Sequence, residues 1–260
     1  MVKPKVCVLR TAGTNCDKET AFAFEEADGE AEFVHIKELV EGKTSLRHFH
    51  ILALPGGFSY GDDIASGKIL ANELTNKLSK DLKEFIQDGK LIIGICNGFQ
   101  ILVKSGLLPG GPELRQETSL IINDSGKFED RWVYLRKADD KTVWTKNLPE
   151  VISLPVAHGE GKFVTQDKAT LERLKDNAQV VFQYCNEKGE LAGYPYCPNG
   201  STENIAGICD ETGRVFGLMP HPERHIQFTQ APRWTASSKL GSGDGMQIFR
   251  NGVEYARAKL

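Results

Sequence analysis

The chain has 260 residues, of which 40% are hydrophobic, so it is long enough to bury a core without disulfides or metals. Its net charge of −3 argues against a nucleic-acid-binding protein. No apolar run is long enough to predict a transmembrane helix, and the N-terminus enters an apolar strand rather than a signal peptide. The six cysteines include no C-x-x-C pair. We therefore expect a cytoplasmic protein with free thiols, no membrane contact and no metal site.

Short apolar segments alternate with amphipathic stretches through the first hundred residues. Strands are expected at 6–9, 31–36, 51–54 and 91–95, and helices at 16–27 and 68–88. This alternation predicts a mostly parallel sheet flanked by helices.

The pattern changes beyond residue 110 to shorter segments, which predict an antiparallel flap. Strands are expected at 119–122, 131–136, 179–184, 205–209 and 214–219, helices at 167–176 and 244–258, an irregular segment at 149–165 and a loop at 187–204. We interpret residues 1–260 as a single α/β domain.

Cys96 lies between the apolar segment 91–95 and a helical pattern. Gly94 and Gly98 flank it two residues away on each side, which matches the nucleophile elbow G-x-S-x-G with cysteine in place of serine. A helix N-terminus at this point favours thiolate over thiol. Cys96 is therefore a candidate nucleophile, and an unreactive core cysteine is the alternative.

His221-Pro222-Glu223 follows another apolar strand. Pro222 disfavours the helical region for His221, and in an extended chain the side chains of His221 and Glu223 point to the same side. The carboxylate could then fix the imidazole tautomer and leave the second nitrogen for a thiol, as in a catalytic triad. A surface loop is the alternative, although functional groups do gather at the carboxyl edge of a parallel sheet.

Gly56-Gly57 ends the strand at 51–54. Successive glycines allow the backbone to present N–H groups inward. The N–H of Gly57 or Phe58, together with that of Asn97, would form an oxyanion hole. An ordinary glycine-rich loop is the alternative interpretation.

These three elements in this order resemble class I, triad-type glutamine amidotransferases. The shared features are a strand ending in Gly-Gly, then G-x-C-x-G-x-Q, then His-Pro-Glu. Further segments are similar to one branch of that family, the glutaminase subunits of phosphoribosylformylglycinamidine synthase. Those segments are 5–10, 14–17, 155–163, 196–201, 204–209 and 217–224.

The resemblance implies a flavodoxin-like fold and a reaction on L-glutamine. Cys96 would attack the side-chain amide and form a glutamyl thioester, His221 would move protons, and Glu223 would orient His221. Ammonia would pass to a separate synthetase subunit that aminates formylglycinamide ribonucleotide. ATP and magnesium are expected on that subunit and no cofactor on this chain, with a small accessory subunit in the same complex.

The resemblance also implies a substrate contact for Gln100 and makes His158 and Glu160 candidate contacts to substrate or partner. One departure stands at residues 63–67, where many relatives carry an arginine and this chain has none. Three alternatives stay open: a cysteine hydrolase with the same elbow, a regulatory protein with an inactive site, and a glutaminase serving a synthetase for GMP or CTP.

Overall fold

The structure, a computed structural model, describes residues 2–110, 113–236 and 241–259. The strands in these residues are β1 Lys5–Arg10, β2 Glu30–His35, β3 Ile51–Leu54, β4 Leu91–Ile95, β5 Thr118–Ile121, β6 Glu129–Lys137, β7 Val151–His158, β8 Lys162–Thr165, β9 Val180–Cys185, β10 Ile205–Cys209 and β11 Val215–Leu218. The α-helices are α1 Asp17–Glu26, α2 Ile36–Val40, α3 Lys68–Lys77, α4 Ser79–Gln87, α5 Asn97–Lys104, α6 Lys168–Asp176 and α7 Met246–Lys259.

Nine of the strands form one sheet, in the order β2-β1-β3-β4-β11-β10-β9-β6-β7. The five strands from β2 to β11 run parallel, and every neighbouring pair beyond β11 is antiparallel. Strands β5 and β8 pair separately. The predicted α/β fold class is confirmed, and the antiparallel strands assigned to a flap mainly extend the central sheet.

Strands β3, β4 and β11 lie side by side in the sheet, and every residue in them is buried. Their continuous apolar sequences suit strands that are covered on both faces. Because the three strands are parallel, the loops that follow them meet at one edge of the sheet. The glycine pair, Cys96 and His221 all lie in those loops.

The structure differs from the sequence prediction in three segments. The helix expected at 68–88 is interrupted at Leu78, whose φ of −125° and ψ of 11° are not helical and whose side chain is buried. The irregular segment 149–165 contains β7 and β8, and the short helix α2 was not predicted. Pro155 interrupts the apolar pattern of β7, so no strand was predicted there. Proline is tolerated in this strand because β7 lies at the edge of the sheet. Within the described ranges, no helix is long and apolar enough to span a membrane.

Candidate active site

Cys96 occupies a sharp turn between β4 and α5. Its φ of 52° and ψ of −106° are rare for a residue with a side chain, and its N–H donates to the Leu218 carbonyl at 2.8 Å. A Cβ on Gly98 would lie 1.9 Å from the Leu54 oxygen, and one on Gly94 would lie 2.6 Å from the Gly98 oxygen. The turn is therefore compatible only with glycine at both flanking positions, as the elbow motif requires.

His221 and Glu223 form a buried pair on the loop after β11. The two atoms joined are His221 Nδ1 and Glu223 Oε1, which lie 2.6 Å apart. His221 is extended as predicted, with φ of −102° and ψ of 91°, but Pro222–Arg224 then forms a short 3-10 turn. The carboxylate thus reaches the imidazole across a turn and not along an extended chain. Nε2 makes no regular hydrogen bond within the described residues, which leaves it available to a reacting group.

The surroundings of His221 favour its charged form. Burial lowers the pKa of His221, but the Glu223 carboxylate and the sulfur atoms of Cys96 and Cys16 outweigh burial, so this pKa lies well above its ordinary value. These surroundings therefore favour the protonated imidazole. An imidazolium paired with a cysteine thiolate is the resting form of an activated nucleophile.

Two backbone N–H groups near Cys96 are without a partner in the described part of the chain. The N–H groups of Gly57 and Asn97 have no hydrogen-bond partner among the residues that the structure describes. The Phe58 N–H donates to the Gly13 carbonyl at 2.9 Å, so of the two candidates after β3 only Gly57 keeps a free donor. Unpaired backbone N–H groups beside a candidate nucleophile are the donors that an oxyanion hole requires.

The nucleophile and the base open into one small cavity of about 150 Å³. Cys96 Sγ lies 3.6 Å from the carbonyl oxygen of Ala157, at the end of β7. Phe58 and Phe128 contribute aromatic side chains that are half exposed. The lining residues are Asn15, Cys16, Gly57, Phe58, Cys96, Phe128, Ala157, His221 and Arg224.

Gln100 lies in a buried polar network behind the elbow and is absent from the cavity lining. Its side-chain nitrogen donates to the Glu160 carbonyl at 2.7 Å, and its oxygen accepts from Asn97 Nδ2 at 2.9 Å. Asn97 also donates to Asp62 at 3.2 Å, and burial raises the pKa of that carboxyl. The network ties the loop after β3, helix α5 and the turn after β7 together.

His158 is buried at the end of β7 and is also absent from the cavity lining. Its Nδ1 lies 3.2 Å from Asn123 Oδ1, an oxygen that also accepts from the Gly161 N–H at 2.9 Å. Asn123 Nδ2 donates to the His158 carbonyl, which fixes the orientation of the amide. Burial, reinforced by the charge on His221, lowers the pKa of His158 to about 4, so this imidazole is neutral at pH 7.

Two site residues, Cys16 and Arg224, were not recognised as such from the sequence. The Cys16 sulfur, a His221 nitrogen and a Glu223 oxygen all lie within 4.8 Å of one another. Arg224 donates to Cys16 Sγ at 3.1 Å and pairs with Glu19 at 3.3 Å. Two sequence signals were available: Cys16 follows β1 at the same carboxyl edge as Cys96 and His221, and both residues lie in the family-like segments 14–17 and 217–224.

Comparisons with known proteins agree with this geometry. The family described as the CobB/CobQ-like glutamine amidotransferase domain matches residues 3–256. Subunit PurQ of phosphoribosylformylglycinamidine synthase from Methanococcus maripaludis is 44% identical over 98% of both chains. The PurQ subunit from Dehalococcoides mccartyi is 48% identical over 99% of both. In the structure of PurLQS from Thermotoga maritima, one chain is 34% identical, with a TM-score of 0.75 over 98% of this chain and 99% of that chain.

The matches span almost the full length of this chain and of its relatives, and the matched residues 3–256 of this chain contain the elbow, the glycine pair and the His-Pro-Glu string. A cysteine hydrolase of another family that merely shares the elbow is therefore excluded. The chain belongs to the CobB/CobQ-like glutamine amidotransferase family and, within it, to the PurQ-type glutaminase subunits of phosphoribosylformylglycinamidine synthase.

Proposed function

We propose that Cys96, His221 and Glu223 hydrolyse L-glutamine to glutamate and ammonia. The observation that carries this assignment is the buried pair of His221 Nδ1 and Glu223 Oε1, 2.6 Å apart, in the same cavity as Cys96. That pair holds the proton on Nδ1 and turns Nε2 toward the reacting groups.

In the first step, the Cys96 thiolate attacks the carbonyl carbon of the glutamine side-chain amide. The carbonyl oxygen becomes an oxyanion, which accepts hydrogen bonds from the N–H groups of Gly57 and Asn97. As the tetrahedral intermediate collapses, the His221 imidazolium gives its Nε2 proton to the departing nitrogen, and ammonia leaves. The enzyme is then a glutamyl thioester at Cys96 with a neutral His221.

In the second step, water hydrolyses the thioester. Neutral His221 removes a proton from the water, whose oxygen attacks the thioester carbonyl, and the same oxyanion hole stabilises the second intermediate. The Cys96 thiolate leaves and glutamate is released. His221 ends protonated, so the thiolate–imidazolium pair is restored.

The ammonia is proposed to serve a separate synthetase subunit. That subunit would use ATP and magnesium to convert formylglycinamide ribonucleotide to formylglycinamidine ribonucleotide, in a complex that includes a small accessory subunit. The assembly named PurLQS in Thermotoga maritima supports such a partnership. The six free cysteines in the structure support a reducing compartment, the cytoplasm.

A Cys96→Ala variant tests the proposal in the assembled complex. Synthesis driven by glutamine should fall by at least about 10⁴-fold, because the nucleophile is gone. Synthesis driven by added ammonia should stay at the level of the unsubstituted complex. Both rates are measured as formation of formylglycinamidine ribonucleotide.

Cys209→Ala is the matched control, since Cys209 is a buried cysteine at the end of β10 and does not line the cavity. It should leave both rates unchanged. Survival of the glutamine-driven rate in Cys96→Ala contradicts the assignment of Cys96. Loss of the ammonia-driven rate as well shows that Cys96 is needed for assembly or folding, which also contradicts the proposal.

A further inference from the structure

A second thiol lies beside the catalytic base. Cys16 is the residue before helix α1, and its side chain is buried yet lines the same cavity as Cys96 and His221. Its sulfur lies within 4.8 Å of both a His221 nitrogen and a Glu223 oxygen. Two thiols therefore line one cavity with His221, and the proposed reaction uses only that of Cys96.

Cys16 is held in place from several directions. Its N–H donates to the Gly56 carbonyl at 3.2 Å, and its own carbonyl accepts from Thr20 Oγ1 at 2.6 Å. A Cβ on Gly56 would lie 3.1 Å from Cys16 Sγ and 2.8 Å from His221 Cε1. Gly56 thus leaves just enough room for the sulfur and the imidazole to pack against each other, and the loop after β1 is fixed to the loop after β3.

The hydrogen bonds of Cys16 define how its sulfur faces the imidazole. The S–H group donates to Asn15 Oδ1 at 3.3 Å, and the sulfur accepts from Arg224 Nη2 at 3.1 Å. Burial raises the pKa of Cys16, although its contact with His221 opposes the rise, so Cys16 stays a neutral thiol. With its proton directed at Asn15 and its sulfur beside the imidazole, Cys16 offers lone pairs and no donor to His221.

We infer that Cys16 is a positioning residue for the glutaminase reaction: its sulfur, anchored by Arg224, fixes the imidazole of His221 and stabilises the protonated form. Arg224 is fixed in turn by Glu19 on α1, at 3.3 Å. The reaction needs an imidazolium when ammonia departs, so a group that favours the proton on His221 favours that step. This inference rests on the proposed function and assigns no chemical step to Cys16.

Five groups face His221 from the elements packed around it. The Glu223 carboxylate and the Cys96 sulfur favour the protonated form of His221. A positive charge on His221 repels a positive charge on His158. Arg224 lies in the same cavity and donates to Cys16. Cys16 lines the cavity beside His221 and can be changed without removing the nucleophile, the carboxylate or a charge.

The test is an NMR titration of the His221 imidazole in the full-length Cys96→Ala protein, in which the nucleophile no longer titrates. Adding Cys16→Ala should lower the pKa of His221 by about one unit, equivalent to about tenfold in the protonation equilibrium. Adding Cys16→Ser should give a value between the two, because a hydroxyl oxygen can also accept. Adding Cys209→Ala, a buried thiol away from the cavity, should change nothing.

Kinetics in the assembled complex supply a second measurement with Cys96 intact. Cys16→Ala should lower kcat for glutamine by about tenfold with little change in KM, and the alkaline limb of the pH profile should move to lower pH. Cys16→Ser should recover part of the rate.

An unchanged titration of His221 in the Cys16→Ala protein overturns the inference. So does an equal loss of rate at every pH, which indicates packing alone. If Cys16→Ala does not fold, the isosteric Cys16→Ser decides by the same titration. The Cys96→Ala result tests the proposed function separately, because that function stands if Cys96→Ala is inactive and the Cys16 variants titrate like their parent.

Discussion

The two halves of the sheet contribute to the site in different ways. In the parallel half, Gly57 follows β3, Cys96 follows β4 and His221 follows β11, so the proposed reactive groups lie at strand ends that share one edge. The antiparallel half has no such common edge. It contributes one wall of the cavity, where the carbonyl oxygen of Ala157, at the end of β7, lies 3.6 Å from Cys96 Sγ.

The difference extends to the polar groups of each half. In the parallel half, the N–H groups of Gly57 and Asn97 and the Nε2 of His221 are left without regular hydrogen bonds in the described ranges. Gly57 and His221 line the cavity, and Asn97 follows Cys96. At the end of the antiparallel β7, Asn123 uses its side chain to bind His158, Gly161 and Lys127. The groups proposed to react thus come from the parallel half. At the end of β7, Asn123 fixes the backbone, and the Nε2 of His158 is also without a hydrogen bond in the described residues.

The largest expected effect comes from removing the charge that orients the base. Glu223→Gln keeps the size of the side chain but loses the carboxylate, so Nδ1 no longer keeps its proton reliably. We expect kcat for glutamine hydrolysis to fall by about 10⁴-fold with the fold intact. Steady-state kinetics measures this in the assembled complex, and circular dichroism checks folding. A loss of less than about tenfold contradicts the role assigned to Glu223.

The backbone is packed tightly around the elbow in the parallel half. Alanine is the better helix former, yet Gly98→Ala places a Cβ 1.9 Å from the Leu54 oxygen of β3. The clash with backbone outweighs the helix preference, and we expect the free energy of unfolding to fall by about 3 kcal/mol or more.

Gly193→Ala is the matched control, because a Cβ there meets no atom within 4 Å. It should change the free energy of unfolding by less than about 0.5 kcal/mol. Urea denaturation measures both variants. Equal effects at the two positions contradict the view that packing around the elbow requires glycine.

Sequence reasoning located the parallel half better than the antiparallel half, for physical reasons. Buried parallel strands appear in the sequence as short apolar runs. The motifs with Cys96 and His221 directly follow such runs, so both residues could be placed at strand ends. Strand β7 was missed because Pro155 interrupts the apolar pattern, and proline is tolerated only because β7 lies at the edge. Where a strand lies in a sheet is a property of the whole chain.

The roles of individual side chains show the same limit. The pattern left open whether Gly57 or Phe58 supplies a donor, and only the hydrogen bond from Phe58 to the Gly13 carbonyl decides between them. The contact of Cys16 with His221 joins residues about two hundred positions apart, and no local pattern encodes it. The substrate contact assigned to Gln100 by resemblance stays a prediction, since its side chain is fully engaged behind the elbow.

The smallest of these effects concerns His158 in the antiparallel wall. Its pKa is about 4 in the folded chain, whereas an unfolded histidine has a pKa of about 6.5, so the unfolded chain binds the proton more readily. The resulting stability is fully present above about pH 6.5 and is lost as the pH falls toward about 4. The difference between the two pKa values corresponds to a change of about 3 kcal/mol in the free energy of unfolding over this pH range.

Glutamine at this position cannot take up that proton. The free energy of unfolding should fall between pH 7 and pH 4 in both proteins. The fall in His158→Gln should be smaller than that of the unsubstituted chain by about 3 kcal/mol. Urea denaturation at both pH values measures the difference, with His48→Gln as the control because His48 is exposed. Activity at neutral pH should change by less than about tenfold, since His158 lies outside the cavity lining. A loss as large as that of Glu223→Gln would instead place His158 among the reacting groups and remove the distinction between the two halves.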